Sequence, residues 1–187
     1  ATVGSHSASV RRFSPNGAFD RKIGGVGRGP GEYQQPEGLA VLPDGRMVVR
    51  DLGIPNRLTV YDSHGTLVDV WTLSSGHYWT SNSEMALLAD TAGTLWLPFN
   101  HRPGPHRPPP GYLLMSPVGV PLDTVPFPAV PQLDRQSVEV TRVSASGAVS
   151  VRRLDLPYQA RWLWAWSPAG EIATALSNED FISIHTV

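Results

Sequence analysis

Glycines that recur at a fixed distance, each between two alternating runs, constrain this chain more than any other feature. Residues 10–23 (VRRFSPNGAFDRKI) and 58–71 (LTVYDSHGTLVDVW) share one layout: an alternating run ending in an aromatic, polar turn residues, glycine, and a second alternating run. Gly17 and Gly65 lie 48 positions apart. A second hairpin type interleaves with the first, in residues 39–51 (LAVLPDGRMVVRD) and 87–99 (LLADTAGTLWLPF), and Gly45 and Gly93 are again 48 apart. Two independent markers therefore give one period. Apolar and polar residues alternating at period two, bounded by Asp-Gly, Asn-Gly or Ser-x-Gly, are the signature of β-hairpins.

The later chain keeps the hairpin grammar without the spacing. Residues 112–125, 138–154 and 162–175 read as hairpins around Gly119, Gly147 and Gly170, and residues 181–187 as one further strand. The pattern predicts about fifteen strands in all. Helical periodicity is nearly absent; only residues 81–89 admit it, and the neighbouring 94–97 favour a strand. With 18 glycines and 18 prolines in 187 residues, the chain carries far more punctuation than an average globular sequence.

A period near 48 with four strands per period is the size of a propeller blade. The expected fold is all-β: a β-propeller of four-stranded antiparallel blades, with about three to four blades present, forming part of a six-bladed propeller. Residues 1–187 are expected to make a single domain, incomplete at both ends, its repeat clearest in 10–99. An unclosed propeller would expose a sheet edge, which natural proteins avoid.

Composition removes several function classes. The absence of cysteine excludes disulfide scaffolds, thiolate nucleophiles and Cys-ligated zinc. A formal charge of −1 offers no electrostatic case for nucleic acid or an acidic membrane surface. No apolar stretch approaches the roughly 18 residues of a membrane span. The Gly-rich stretch from Gly24 fails as a nucleotide loop: Pro30 or Glu32 stands where the last glycine is needed, and the sole lysine, Lys22, lies outside it.

Residues 24–71 resemble one blade of the NHL-type six-bladed propellers, most of all bacterial members with a GxGPGE(F/Y)xxP lead-in. The residues that carry the resemblance are Gly29-Pro30-Gly31-Glu32-Tyr33, Pro36-Glu37-Gly38, Asp44-Gly45, Asp51, Asn56-Arg57 and Tyr61-Asp62. Residues 86–99 and 164–184 fit more loosely, and about 100–160 depart from the pattern. The resemblance implies a fold and, for the bacterial members, export. It leaves function open among protein- and RNA-binding platforms, a lyase module and relatives of the metal-dependent lactonases. Read from the residues alone, Asp51 and Arg57 are placed to pair across a turn and tie one blade together.

Two loops carry the candidate binding residues. Residues 74–83 (SSGHYWTSNS) set His77, Tyr78 and Trp79 among small polar residues, the composition of a recognition loop or of aromatic caps on a blade. Residues 100–111 (NHRPGPHRPPPG) hold His101, Arg102, His106 and Arg107 in a proline-stiffened segment, either a ligand-lining, anion-contacting loop or a variable connection. Trp162, Trp164 and Trp166 alternate along one strand and read first as a packing face. Enzyme signatures are thin: no HExxH pair and no GxSxG elbow occur. Glu37, Asn82, Glu84 and Asn100 have the chemistry of a lactonase-like metal centre, as would residues of any propeller. The sequence thus points to a non-catalytic module binding a protein or small ligand, with no cofactor and no metal. A metal-dependent hydrolase or lyase is the alternative.

Overall fold

The computed structural model describes residues 2–4, 8–53, 55–73, 87–99, 109–131, 133, 136–156, 159–167 and 169–186. Seven hairpins fold for one local reason. At Gly17, Gly45, Gly65, Gly93, Gly119, Gly147 and Gly170, φ lies between 79° and 90°. Each of these glycines donates its N–H to the carbonyl three residues earlier, as Gly65 does to Asp62 and Gly119 to Ser116, both at 3.0 Å. This is a type I turn followed by a left-handed residue, a three-residue hairpin loop that glycine closes without a Cβ clash. In five of the seven the residue opening the turn caps it. Asp62 Oδ1 accepts from the N–H groups of His64 and Thr66, and Asp90 Oδ1 from those of Ala92 and Thr94. Those N–H groups of Thr66 and His64 hold Asp62 below the usual carboxylate range. A depressed carboxylate stabilises the fold above its unfolded pKa and stops doing so as pH falls through its folded value. The gap in melting temperature between wild type and Asp62→Ala should therefore be full at neutral pH and close as pH drops below about 4.

The hairpins join into sheets that follow chain order. Strands β1 (Thr2–Gly4), β2 (Ser9–Phe13) and β3 (Phe19–Ile23) form the first. A short parallel pair, β4 (Gly25–Val26) and β5 (Glu32–Tyr33), follows. Next comes a four-stranded meander of β6 (Pro36–Val41), β7 (Met47–Asp51), β8 (Arg57–Tyr61) and β9 (Leu67–Thr72). A second meander is built from β10 (Leu88–Ala89), β11 (Leu95–Phe99), β12 (Gly111–Met115) and β13 (Pro121–Pro126). Then follow the hairpin β14 (Ser137–Val143) and β15 (Val149–Asp155), and a three-stranded sheet of β16 (Trp162–Trp166), β17 (Glu171–Leu176) and β18 (Ile182–Thr186). All pairings except β4–β5 are antiparallel, and the described residues contain no helix. Residues 88–89, within the one segment that admitted helical periodicity, are strand.

Three buried clusters stack four of these sheets face to face. Val10 and Ile23 of the first sheet meet Met47, Val49 and Tyr61 of the first meander. The opposite face of that meander, with Val48, Leu58 and Val60, meets Leu95, Leu97 and Met115 of the second. Trp96 and Tyr112 on the far side of the second meander meet Ile172, Trp164 and Trp166 of β16–β17. The third contact is aromatic, with ring centroids 5.5 Å apart for Trp96–Trp166 and 5.0 Å for Tyr112–Phe127. Trp164 and Trp166 thus form the packing face that their alternation predicts, while Trp162 donates its indole N–H to the Pro131 carbonyl at 3.0 Å.

Strands β7, β8 and β11 are buried along their whole length because both faces are covered, whereas the last strands of the meanders, β9 and β13, are mostly exposed. Leu97, with no exposed surface, sits in the central interface. Leu97→Ala should cost about 2–5 kcal/mol in denaturant unfolding, the usual toll of an aliphatic truncation that leaves a cavity.

The β14–β15 hairpin belongs to none of the three clusters. Its apolar residues stay in water, Val138 at 46% and Val151 at 58% exposed. Gln159 braces its base: the side chain accepts from the Gln136 N–H and donates to the Gln136 and Leu156 carbonyls.

Candidate functional site

Hairpin connectivity gives the stack two unlike ends. Six of the glycine turns cap alternate strand ends of the stacked sheets and form one of them. The connections β7–β8, β9–β10, β11–β12 and β17–β18 leave from the other. The turn end repeats one short loop closed by the same backbone hydrogen bond. The connection end carries segments of very different length, and segments of that kind are where binding residues concentrate.

Buried charge also gathers at the connection end. Asp51 closes β7 and Arg57 opens β8; they are cross-strand partners, with Nη2 to Oδ2 at 3.4 Å. Asp51 is 1% exposed and accepts from the N–H groups of Gln34, Gln35 and Gly53. Arg57 donates to the carbonyls of Arg28 and Glu32. The expected Asp51–Arg57 pairing therefore forms and does more than join two strands. It fastens the Gly-rich segment 24–35 onto the end of the meander. Within that segment Glu32 accepts from the Gly29 N–H at 2.8 Å, and Tyr61 donates its hydroxyl proton to the Gly31 carbonyl at 3.3 Å. The Tyr33 hydroxyl donates to that of Tyr61. Burial raises the pKa of both phenols above the usual tyrosine value, so the pair stays neutral.

Arg50, one residue before Asp51, was not singled out by the sequence reading. It is 3% exposed and points between the two meanders. Its Nη1 lies 3.4 Å from the carbonyl of Pro98 on β11, and its Nη2 lies 3.9 Å from Glu37. Burial lowers its pKa from the usual guanidinium value, and the charge on Glu37 partly offsets this. The sequence held one clue: a lone arginine directly after the apolar run Met47-Val48-Val49. Glu37, its side chain one-fifth exposed, also accepts from the Gln35 amide, and so faces both the buried arginine and the mouth of the connection end.

His77, Tyr78, Trp79, His101, Arg102, His106 and Arg107 lie outside the described residues, as do Asn82, Glu84 and Asn100. The strand ends that flank them are described. Thr72 and Leu88 border one segment, and Phe99 and Gly111 the other, all at the same end of the stack as Arg50 and Asp51. Among the described residues no three His, Asp or Glu side chains come together as metal ligands do. No described helix is long and apolar enough to cross a membrane.

No protein-family model matches the sequence, and no curated relative matches it. Among solved structures it is similar to a protein of unknown function from Bacteroides caccae, with a TM-score of 0.44 and 12% identity. That match covers 90% of this chain and 64% of the other, so the chain spans less than two thirds of its length.

Proposed function

We propose that this chain is a non-catalytic binding module built as part of an NHL-type β-propeller, with its ligand surface at the connection end of the sheets. Four features support the propeller reading: the 48-residue spacing, the two four-stranded meanders, the face-to-face stacking in chain order, and the contact of β1 with β6 and of β6 with β10. First strands that adjoin while last strands stay exposed fit sheets arranged around a common axis.

The observation that carries the binding role is the contrast between the two ends. One repeats a short glycine turn six times. The other holds buried Arg50 and Asp51 beside the strand ends Thr72, Leu88, Phe99 and Gly111, which flank in sequence the candidate residues His77–Trp79 and His101–Arg107. The ligand is a protein segment or a small molecule with an anionic or planar group, the chemistry that histidine, arginine and aromatic side chains serve together.

A printed array of peptides and glycans probed with the whole chain tests the reading. Binding should fall at least tenfold in Tyr78→Ala/Trp79→Ala and Arg102→Ala/Arg107→Ala, and stay unchanged in the turn-end variant Ser63→Ala. Loss of binding in the turn-end variant alone, or no binding by the wild type, would reject it. For the hydrolase or lyase alternative, elemental analysis of chelator-free protein decides. Near-stoichiometric calcium or zinc would favour the enzyme.

A further inference from the structure

Seven strands leave a glycine turn, and the fourth residue after the glycine sorts them. Strands β7, β11 and β17 have a neighbour on each side and carry Val49, Leu97 and Thr174 there. Strands β3, β9 and β13 end their sheets and carry Arg21, Asp69 and Asp123. Each of these three also holds a β-bulge just before the charge, where the register shifts beside Arg12, Val60 and Leu114. The two aspartates go further. Asp69 Oδ1 accepts from the Val70 N–H and Asp123 Oδ1 from the Thr124 N–H, both at 2.7 Å. Those N–H groups face away from the sheet, since Leu73 and Phe127, three residues on, donate into it. Bulges and charges of this kind keep sheet edges from pairing.

Strand β15 ends its sheet and has neither device. Val151 stands at the fourth position, and the register runs without a shift from Ser137↔Asp155 to Val143↔Val149. Leu156 donates to Gln136, so by alternation residues 149, 151, 153 and 155 turn their N–H and C=O groups away from β14. The residues of β15 are thus those of a strand with two neighbours, and among the described residues only β14 lies beside it. The gap lies in mid-chain: β16, the next strand, pairs instead with β17, and its sheet packs directly on the second meander. Charge marks the gap as well. Glu139 pairs with Arg153 on one face of the hairpin. The other face, with Val138, Val140 and Leu154, carries Arg142 and Arg152, and neither forms an ion pair among the described residues.

We propose that β15 takes up an extended segment of a partner protein as a third strand. The segment sets a carboxylate against Arg152 and β-branched residues against Val149, Val151 and Leu154. Its backbone pairs with the outward groups of β15, and the carboxylate fixes the register and rejects basic segments. This edge is separate from the loop segments of the ligand surface, so either can fail alone.

A cellulose-bound array of heptapeptides probed with the whole chain tests it. Peptides that alternate valine or threonine with glutamate should bind at least tenfold more strongly than the same peptides with lysine for glutamate. Proline in one of the two alternating phases should abolish binding, because the paired N–H groups are gone. Val151→Asp, which copies the device of β9 and β13, should lose at least tenfold, and Arg152→Glu should reverse the preference towards lysine. Both positions are exposed, and circular dichroism should show unchanged β content. Four results would each overturn the proposal: no bound peptide, binding that survives Val151→Asp, a preference indifferent to Arg152→Glu, or an edge filled by a second copy in a sedimenting dimer.

Discussion

Asp51→Ala should lower the unfolding free energy by about 3–5 kcal/mol, among the largest effects of any single substitution in this chain. The carboxylate is 1% exposed and serves three backbone N–H groups besides Arg57. Removing it strands a buried guanidinium and leaves those donors without their acceptor, the combination that makes the loss of one member of a buried pair costly. The damage should extend beyond stability. Gln34 and Gln35 hold the Gly-rich segment to the meander through Asp51, so proteolysis within residues 24–35 should accelerate while the other sheets keep their protection. Asp51→Asn retains one acceptor oxygen and should lose less. Urea unfolding of the three proteins, with limited proteolysis, checks both parts. An Asp51→Ala protein within about 1 kcal/mol of wild type would show that the buried pair does not anchor the segment.

Gly119→Ala should be the second severe change, and Gly147→Ala its control. Both glycines have positive φ, 82° and 79°, so alanine at either position carries the left-handed backbone cost of about 1–2 kcal/mol. They differ in what the new methyl meets. At Gly147 there is nothing within 4 Å; at Gly119 the Cβ would stand 2.5–2.6 Å from the Trp71 ring. A rigid indole cannot yield as a flexible chain end does, and Trp71 packs on the central cluster between the meanders. The overpacking adds about 1–3 kcal/mol, so Gly119→Ala should lose about 2–5 kcal/mol and Gly147→Ala about 1–2. Equal losses at the two sites would mean that the turn conformation alone sets the cost.

Much of the fold was legible because its signals are local. Each glycine turn is specified by adjacent residues: serine or aspartate opening it and accepting its N–H groups in five of the seven cases, and glycine where φ must be positive. All seven predicted hairpins form, and Asp51 and Arg57 pair as expected. What the sequence hid depends on neighbours distant in the chain. The strand pair β4–β5 comprises two residues on each side, too few for any alternation to register. The alternating valines of β14 and β15 look like those of a packed strand, yet the hairpin lies outside the stack, since period two marks a strand without naming what covers it. Nothing local marks Arg50 as buried, and only the arrival of β11 makes it a contact between sheets. Residues 77–79 and 101–107 stood out by composition, and the described strand ends that flank their segments lie at one end of the stack.

Peptide-resolved hydrogen–deuterium exchange on the whole chain tests most directly the central claim of sheets stacked in chain order with β14–β15 outside the stack. Amides of β7, β8 and β11 should exchange slowest, because both faces of these strands are covered. Those of β14 and β15 should exchange at least a hundredfold faster, despite equally regular hairpin pairing. Slow exchange in β14–β15 matching that of β7 and β11 would contradict the account, placing that hairpin within the core.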